Sequence, residues 1–203
     1  MTALYVSAAH KSSGKTLVAL GLAAAWHLRG LTVAPFKKGP DYIDAGWLAR
    51  AADRPCFNLD YHTMSAAELE TCFGRHAPLA DIALIEGTKG LHDGVATDGT
   101  DSNAALAALL DVPVLLVIDT RGMTRGIAPL LLGLQSFATN LRFAGVVFNR
   151  VGGERHAAKL RAAVETYCDC RVLGAVPECP ELAITERHLD SCPVPNRVMW
   201  THA

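Results

Sequence analysis

Short apolar runs and helical patterns alternate from one end of this chain to the other. Residues 4–7, 31–36, 81–85, 112–118, 144–148 and 171–176 are dense in Val, Leu, Ile, Ala and Phe. Residues 17–29, 65–75, 102–110, 126–137 and 154–167 carry the spacing of helices between them. Runs of near-continuous apolar residues are strands covered on both faces, as in a parallel sheet wound with helices. The pattern predicts an α/β fold, a mostly parallel sheet with helices on both faces. In such sheets ligands bind at the carboxyl ends of the strands, so the polar residues that follow each strand are where chemistry is sought.

The first of these junctions is the most informative. After the run at 4–7 comes Ala8-Ala9-His10-Lys11-Ser12-Ser13-Gly14-Lys15-Thr16, and then an Ala/Leu-rich helix. Strand, small-residue loop, Gly-Lys-Thr and helix together form a P-loop, whose backbone N–H groups and helix N-terminus make an anion site. Ser12, Ser13, Gly14, Lys15 and Thr16 are the expected phosphate-binding residues for ATP, with the Thr16 hydroxyl toward Mg²⁺. Ala9 stands where the usual motif has Gly, which a negative φ tolerates.

Three more junctions converge on the same edge. They are Lys37 to Asp44, Glu86 to Gly94, and Asp119 to Gly126, with Asn149-Arg150-Val151-Gly152 as a fourth beyond the P-loop. One Gly/Pro/Asp loop would be an ordinary turn; several with paired acids and bases on one edge favour a site. Glu86 is placed to reach Mg²⁺. Asp41 is a second candidate ligand, or the cap of a helix beginning near Asp44. Lys37 is suited to neutralising charge on a transferred phosphoryl group. Asn149 could pair with an adenine edge. His10 and His92 lie in these loops; His27, His62, His76, His156 and His202 read as structural or surface residues.

Composition narrows the classes. At 203 residues the chain is one domain, and with half its residues hydrophobic and 19% charged it is not a disordered segment. A net charge of −1 gives no sign of a nucleic-acid surface. The chain enters a strand without a basic leader, and no apolar run reaches the roughly 18 residues of a membrane span. The expected location is the cytoplasm. Six scattered cysteines, Cys56, Cys72, Cys168, Cys170, Cys179 and Cys192, have no C-x-x-C spacing and read as free thiols. No Ser-His-Asp set and no cysteine with a base beside it emerges.

As a set, the loops resemble the ATP-binding synthetase domain of the cobyrinic acid a,c-diamide synthases, within the dethiobiotin-synthetase-like P-loop proteins. The resemblance covers about residues 3–190. It rests on Pro35-Phe36-Lys37 with Gly-Pro-Asp-Tyr-Ile-Asp at 39–44, on Arg54-Pro55 with Asn58-Leu59-Asp60, and on Glu86-Gly87 with Gly90-Leu91 and Asp93-Gly94. It continues through Asp119, Arg121-Gly122-Met123, Asn149-Arg150-Val151-Gly152 with Arg155-His156, Leu173-Gly174 and Glu186-Arg187-His188-Leu189.

The resemblance implies ATP-dependent amidation of acetate side chains on a tetrapyrrole, through an acyl phosphate that ammonia displaces. It assigns Lys15 and Thr16 to phosphates and metal, Tyr42 and Ile43 to substrate positioning, Glu86 to metal, and Asp93 to the intermediate or ammonia. It implies a homodimer, and ammonia from a glutaminase domain or partner outside this chain. The synthetase domain is then residues 1–190, with 191–203 a tail. Lys38, Lys89 and His92 stand where the family usually has apolar or aromatic residues. These extra cations point to a different carboxylate arrangement, such as a sirohydrochlorin-type macrocycle or sirohaem. The competing readings are a dethiobiotin-synthetase-like carboxylase, a partitioning or switch ATPase, and a non-catalytic remnant. The switch ATPases carry a lysine five positions before the P-loop lysine, where this chain has His10.

Overall fold

A computed structural model describes residues 2–138, 140–182 and 184. Cys192, His202, the Glu186-Arg187-His188-Leu189 stretch and the boundary at 190 lie outside the described residues. Seven strands form one sheet: β1 (Thr2–Ala8), β2 (Val33–Lys38), β3 (Phe57–Leu59), β4 (Ile82–Glu86), β5 (Val114–Asp119), β6 (Phe143–Val151) and β7 (Val172–Pro177). Their order is β3-β2-β4-β1-β5-β6-β7, and every pairing is parallel. β1, which carries the P-loop, is central.

Among the described residues, six α-helices cover the faces: α1 (Lys15–Leu28), α2 (Ile43–Ala52), α3 (Ala66–His76), α4 (Asn103–Leu109), α5 (Ile127–Ser136) and α6 (Glu154–Tyr167). α1 and α2 close one face, where Val18, Ala19, Ala23, Leu48 and Ala52 pack on Val6, Val33, Leu84 and Val117. α3 to α6 close the other through residues such as Leu69, Leu106, Leu131 and Leu160 against Tyr5, Phe36, Ile85 and Phe148. Two local signals start helices as their side chains require. Ser65 and Glu68 form a reciprocal capping box on α3, and Ser102 accepts the Ala105 N–H at 3.1 Å on α4.

The structure departs from the apolar pattern at the strand ends. β2 runs to Lys38 rather than Phe36, β4 to Glu86, β5 to Asp119 and β6 to Val151. Register keeps these polar residues in the ladder: Lys37 pairs with Glu86, and Asp119 with Asn149. Lys37, Glu86 and Asn149 are therefore strand residues at the sheet's carboxyl edge, not loop residues. β3 escapes the pattern altogether, being three residues that extend the sheet beside the end of β2.

Two glycines give opposite expectations. Gly21 lies in the middle of α1, exposed, with open space where a Cβ would go. Gly21→Ala should stabilise the protein by about 0.5–1 kcal/mol. Gly145 has φ +150, and a Cβ there would stand 2.5 Å from the carbonyl of Arg171, the residue before β7. Gly145→Ala should destabilise it by roughly 1–3 kcal/mol. Urea titration of both variants checks the opposite signs.

Candidate active site

The P-loop is gripped from the β6 side. β1 ends at Ala8 and α1 starts at Lys15, with Gly14 at φ 96 as its N-cap and Ser12 at φ 62. Gly14 is required twice over, by its positive φ and because a Cβ would collide with the Asn149 carboxamide. Asn149, 2% exposed, donates from Nδ2 to the Ser13 carbonyl at 2.9 Å. Arg150, itself at φ 56, donates from Nη1 to the Ser12 carbonyl at 2.9 Å and to Asp119 Oδ2 at 2.6 Å. Asp119 also takes Arg121 Nη2 at 2.8 Å. The Ser13 hydroxyl donates into the loop, to the His10 carbonyl at 2.8 Å.

On the β4 side the loop meets carboxylates. Thr16 donates its hydroxyl to Glu86 Oε1 at 2.5 Å. Lys37 Nζ donates to Asp44 Oδ2 at 2.8 Å and stands 3.3 Å from Glu86 Oε1. Both members of that pair are buried, Glu86 at 0% and Lys37 at 2% exposure. Asp41 Oδ1 accepts the Ile43 and Asp44 N–H groups at 3.0 Å each, so this oxygen caps α2, while Oδ2 lies 4.0 Å from Lys37. Asp44, not a candidate ligand from the sequence, faces Thr16 Oγ1 at 3.5 Å.

Burial and charge set the protonation states. Burial, then the positive charge of Lys37, lowers Lys15 to about 8, against the pull of Glu86, Asp44 and Asp93. Burial also opposes the charge on Lys37, but Glu86 and Asp44 outweigh it and raise Lys37. Glu86 is pushed up by burial while Lys37 draws it down.

A metal fits this corner. Glu86 Oε2 is buried without a hydrogen-bond partner, beside the Thr16 hydroxyl. No group of three His, Cys, Asp or Glu able to hold a metal occurs among the described residues. One carboxylate and a hydroxyl, with the rest of the shell from water and phosphate, is the donor set that Mg²⁺ takes.

The loop after β4 is fastened by a residue that the sequence reading passed over. Asn103, 0% exposed, accepts the Tyr5 hydroxyl at 3.0 Å and the Thr88 N–H at 3.1 Å. Its amide donates to the Thr88 and Gly90 carbonyls. The available signal was one polar residue opening an otherwise all-apolar helix, Asn-Ala-Ala-Leu-Ala-Ala-Leu. Leu91 N–H reaches the Ala8 carbonyl at 2.7 Å, and Asp93 Oδ2 accepts the Gly90 N–H at 3.0 Å. A Cβ on Gly90 would stand 2.6 Å from the Ala9 carbonyl.

A cleft of about 820 Å³ gathers these parts, with Ser12, Gly14, Lys15, Thr16, Lys37, Asp41, Asp44, Glu86 and Asn149 on its wall. Arg121 and Arg150, absent from the sequence candidates for the site, are there too. Tyr42, 66% exposed at the start of α2, and Asp93 are not part of that wall. The two loop histidines are tied elsewhere: His10 Nδ1 to the Lys11 carbonyl at 2.6 Å, His92 Nε2 to the Leu134 carbonyl at 2.9 Å. His92 also meets the Phe137 ring edge-on, so its side chain is turned toward the end of α5 and does not line the cleft.

Comparison with known proteins places this geometry. The CobQ/CobB/MinD/ParA nucleotide binding domain family matches residues 6–191. A cobyrinate a,c-diamide synthase of Magnetococcus marinus is 48% identical over 190 residues, covering 94% of this chain and 41% of that protein. A hydrogenobyrinate a,c-diamide synthase of Mycobacterium bovis is 43% identical over 194 residues, covering 93% and 42%. The chain thus spans about two fifths of the length of the curated relatives it matches. Among solved structures, chloroplast FtsY from Physcomitrella patens superposes with TM-score 0.59 at 17% identity, covering 84% of this chain and 57% of that one. The hydrogenase maturation factor HypB from Archaeoglobus fulgidus gives 0.55 at 11%, covering 86% and 80%. At such identities the structural likeness speaks for the fold, that of P-loop nucleotide-binding proteins.

The Asp119 cluster yields a pH test. Burial works against its charge, but hydrogen bonds from Arg121 and Arg150 prevail and hold Asp119 at about 2, below the usual 3.8. A lowered carboxylate stabilises the fold above its unfolded value, and that contribution is lost as pH falls toward the folded one. Asp119→Asn should cost roughly 1–3 kcal/mol at neutral pH. The gap from wild type should narrow as pH falls from about 4 toward 2. Urea midpoints of both proteins at neutral and acid pH measure this, and a gap independent of pH would contradict it.

Proposed function

This chain belongs to the CobQ/CobB/MinD/ParA nucleotide-binding domain family, and on that footing we propose that it is an ATP-dependent synthetase domain that amidates acetate carboxylates of a tetrapyrrole. The observation that carries the reading is the meeting of two buried lysines, Lys15 and Lys37, with Glu86, Asp44 and Thr16 in one cleft. That is equipment for phosphoryl transfer, which needs positioning and positive charge rather than covalent help from the protein. The names of the relatives supply the acceptor: cobyrinate and hydrogenobyrinate are tetrapyrrole polycarboxylates.

In this reading an acceptor carboxylate oxygen attacks the γ-phosphorus of ATP. An O–P bond forms, the bond to ADP breaks, and an acyl phosphate results. Ammonia then forms the C–N bond, phosphate leaves with the C–O electrons, and the nitrogen loses a proton to give the amide. Lys15 and Lys37 balance charge on the phosphoryl group, and Asp44 holds Lys37 in place. Thr16 and Glu86 would hold Mg²⁺, with Asp41 or Asp44 in reach; the ion supplies charge neutralisation on the phosphates. Asn149 holds the P-loop through the Ser13 carbonyl and, in this reading, also pairs with the adenine edge. Tyr42 and Ile43 at the rim position the acceptor, and Asp93 acts on the intermediate or on ammonia. The active form is a homodimer in the cytoplasm, where tetrapyrrole acids and ATP are both at hand.

The nitrogen comes from outside this chain. Releasing ammonia from glutamine takes an activated nucleophile, usually a thiolate. Burial pushes Cys56 up to about 12, and also raises Cys72, Cys168 and Cys170. These thiols are held away from the reactive form.

Two measurements test the reading. Lys15→Ala should weaken MgATP binding by about tenfold to a hundredfold, while leaving the circular dichroism spectrum unchanged. Equal affinity by calorimetry would sink it. In single-turnover amidation of cobyrinate, ammonium should serve as nitrogen source and glutamine should not. Asp93→Ala should slow amide formation more than it weakens ATP binding. Efficient glutamine use by this chain alone would overturn the assignment of the ammonia source.

A further inference from the structure

Successive residues of a strand point to opposite faces of the sheet, and β2 ends on two lysines. Val33, two pleats before Lys37, packs with α1 and α2, and Lys37 turns that way to Glu86 and Asp44. Ala34 and Phe36 belong to the opposite face, and Lys38 is next in that row. Lys38 is 8% exposed. It makes no hydrogen bond with a described residue, and no described carboxylate lies within 4.0 Å of its ammonium.

A lysine with so little exposed surface is ordinarily paired. The nearby acids are already engaged. Asp60, 4% exposed, accepts the His62 N–H at 3.2 Å and the Thr63 hydroxyl at 3.1 Å within its own turn. Asp101 accepts the Val95 and Ala96 N–H groups at 2.8 and 3.1 Å. They act on Lys38 only at longer range, partly offsetting the burial that lowers it, while Lys89 and Lys37 add to that lowering. The ammonium is nonetheless open to a ligand: among the described residues, the fully buried polar atoms without a partner are Ser7 Oγ and Glu86 Oε2, and Lys38 Nζ is not among them.

The loop after β4 connects this spot to the nucleotide cleft. A Cβ on Gly39, the residue after Lys38, would stand 3.8 Å from Thr88 Cγ2, and Thr88 and the exposed Lys89 line the cleft. We propose that Lys38, with Lys89 on the loop packed against the end of β2, is an anion subsite that holds a second, non-reacting carboxylate of a polycarboxylate acceptor. The identity of that acceptor rests on the synthetase reading above. The subsite itself rests on an ammonium at the end of β2 that is open to a ligand and has no partner among the described residues. One carboxylate sits toward Lys37 for phosphorylation while another is anchored across the end of β2, which selects acceptors by the spacing of their acid groups.

The test uses the whole chain with ¹³Cε-labelled lysine, succinate and sirohydrochlorin as probes, and a non-hydrolysable MgATP analogue present. Succinate should shift the Lys38 and Lys89 signals saturably. Lys38→Met should weaken sirohydrochlorin binding by about tenfold and leave nucleotide affinity within about twofold, and Lys38→Arg should restore most of the loss. Lys89→Met, at an exposed position, should weaken sirohydrochlorin in the same direction and replaces Lys38→Met if that variant does not fold. A Lys38 signal indifferent to succinate, with sirohydrochlorin binding unchanged in the variants, overturns the subsite. If wild type ignores sirohydrochlorin while succinate still moves Lys38, the sirohydrochlorin assignment falls and the anion subsite stands.

Discussion

A carboxylate buried at 0% exposure on a central strand is tolerable only with a cation beside it, and the register of β2 against β4 places one there. Lys37 pairs with Glu86 across the ladder, and the two side chains meet at 3.3 Å. Neither would keep its charge alone in that position. A one-residue slip of β2 would turn Lys37 to the other face and strand Glu86 without a partner. The site's charge pattern and the sheet's register are therefore one constraint. Asp44 extends it: because Lys37 also needs a partner at 2.8 Å, the start of α2 is drawn over the carboxyl edge.

The P-loop lies between this charged corner and a second set of restraints. From β4 it is reached by Glu86 through Thr16, and from β6 by Asn149 and Arg150 through the Ser13 and Ser12 carbonyls. Loops with positive φ at a non-glycine residue, such as Ser12, store strain that neighbouring bonds must hold. Arg150 does this while also bound to Asp119, so the ends of β5 and β6 act as one buttress. A preformed loop has less to reorganise when phosphate binds, which is where such a site gains affinity.

Much of the fold was legible because buried parallel strands are written as apolar runs, and the P-loop because its spacing reflects backbone geometry. What escaped did so for two physical reasons. Strand ends at the carboxyl edge are polar, so a reading that stops at the last apolar residue stops short of Lys37, Glu86 and Asn149. β3, three residues long, exists by pairing beside β2 and has no pattern of its own. The residues missed at the site, Asp44, Asn103, Asp119 and Arg150, act on backbone or on other side chains. Apart from the bonds between Asp119 and Arg121, two positions apart, their meaning depends on contacts 7 to 138 positions apart in sequence, which spacing along the chain does not reveal. Asp41 shows the converse. Its cap was readable as the alternative to binding metal, and the structure gives one oxygen to the cap and sets the other 4.0 Å from Lys37.

Division of labour across the sheet follows from this arrangement. On one side of β1, β6 braces the P-loop by bonds to its carbonyls and β5 backs it through Asp119. On the other side, β4 and β2 bring charge to the edge of the cleft, and the last residues of β2 point to both faces. A change at Lys38 alters the far face without touching the Lys37–Glu86 pair, because the pleat separates them. In the synthetase proposed above, acceptor selection would then vary at the β2–β3 margin while the Lys37–Glu86 corner stays constant. The reverse does not hold: a change at Asp119 or Arg150 loosens the P-loop itself, and every acceptor would feel it alike.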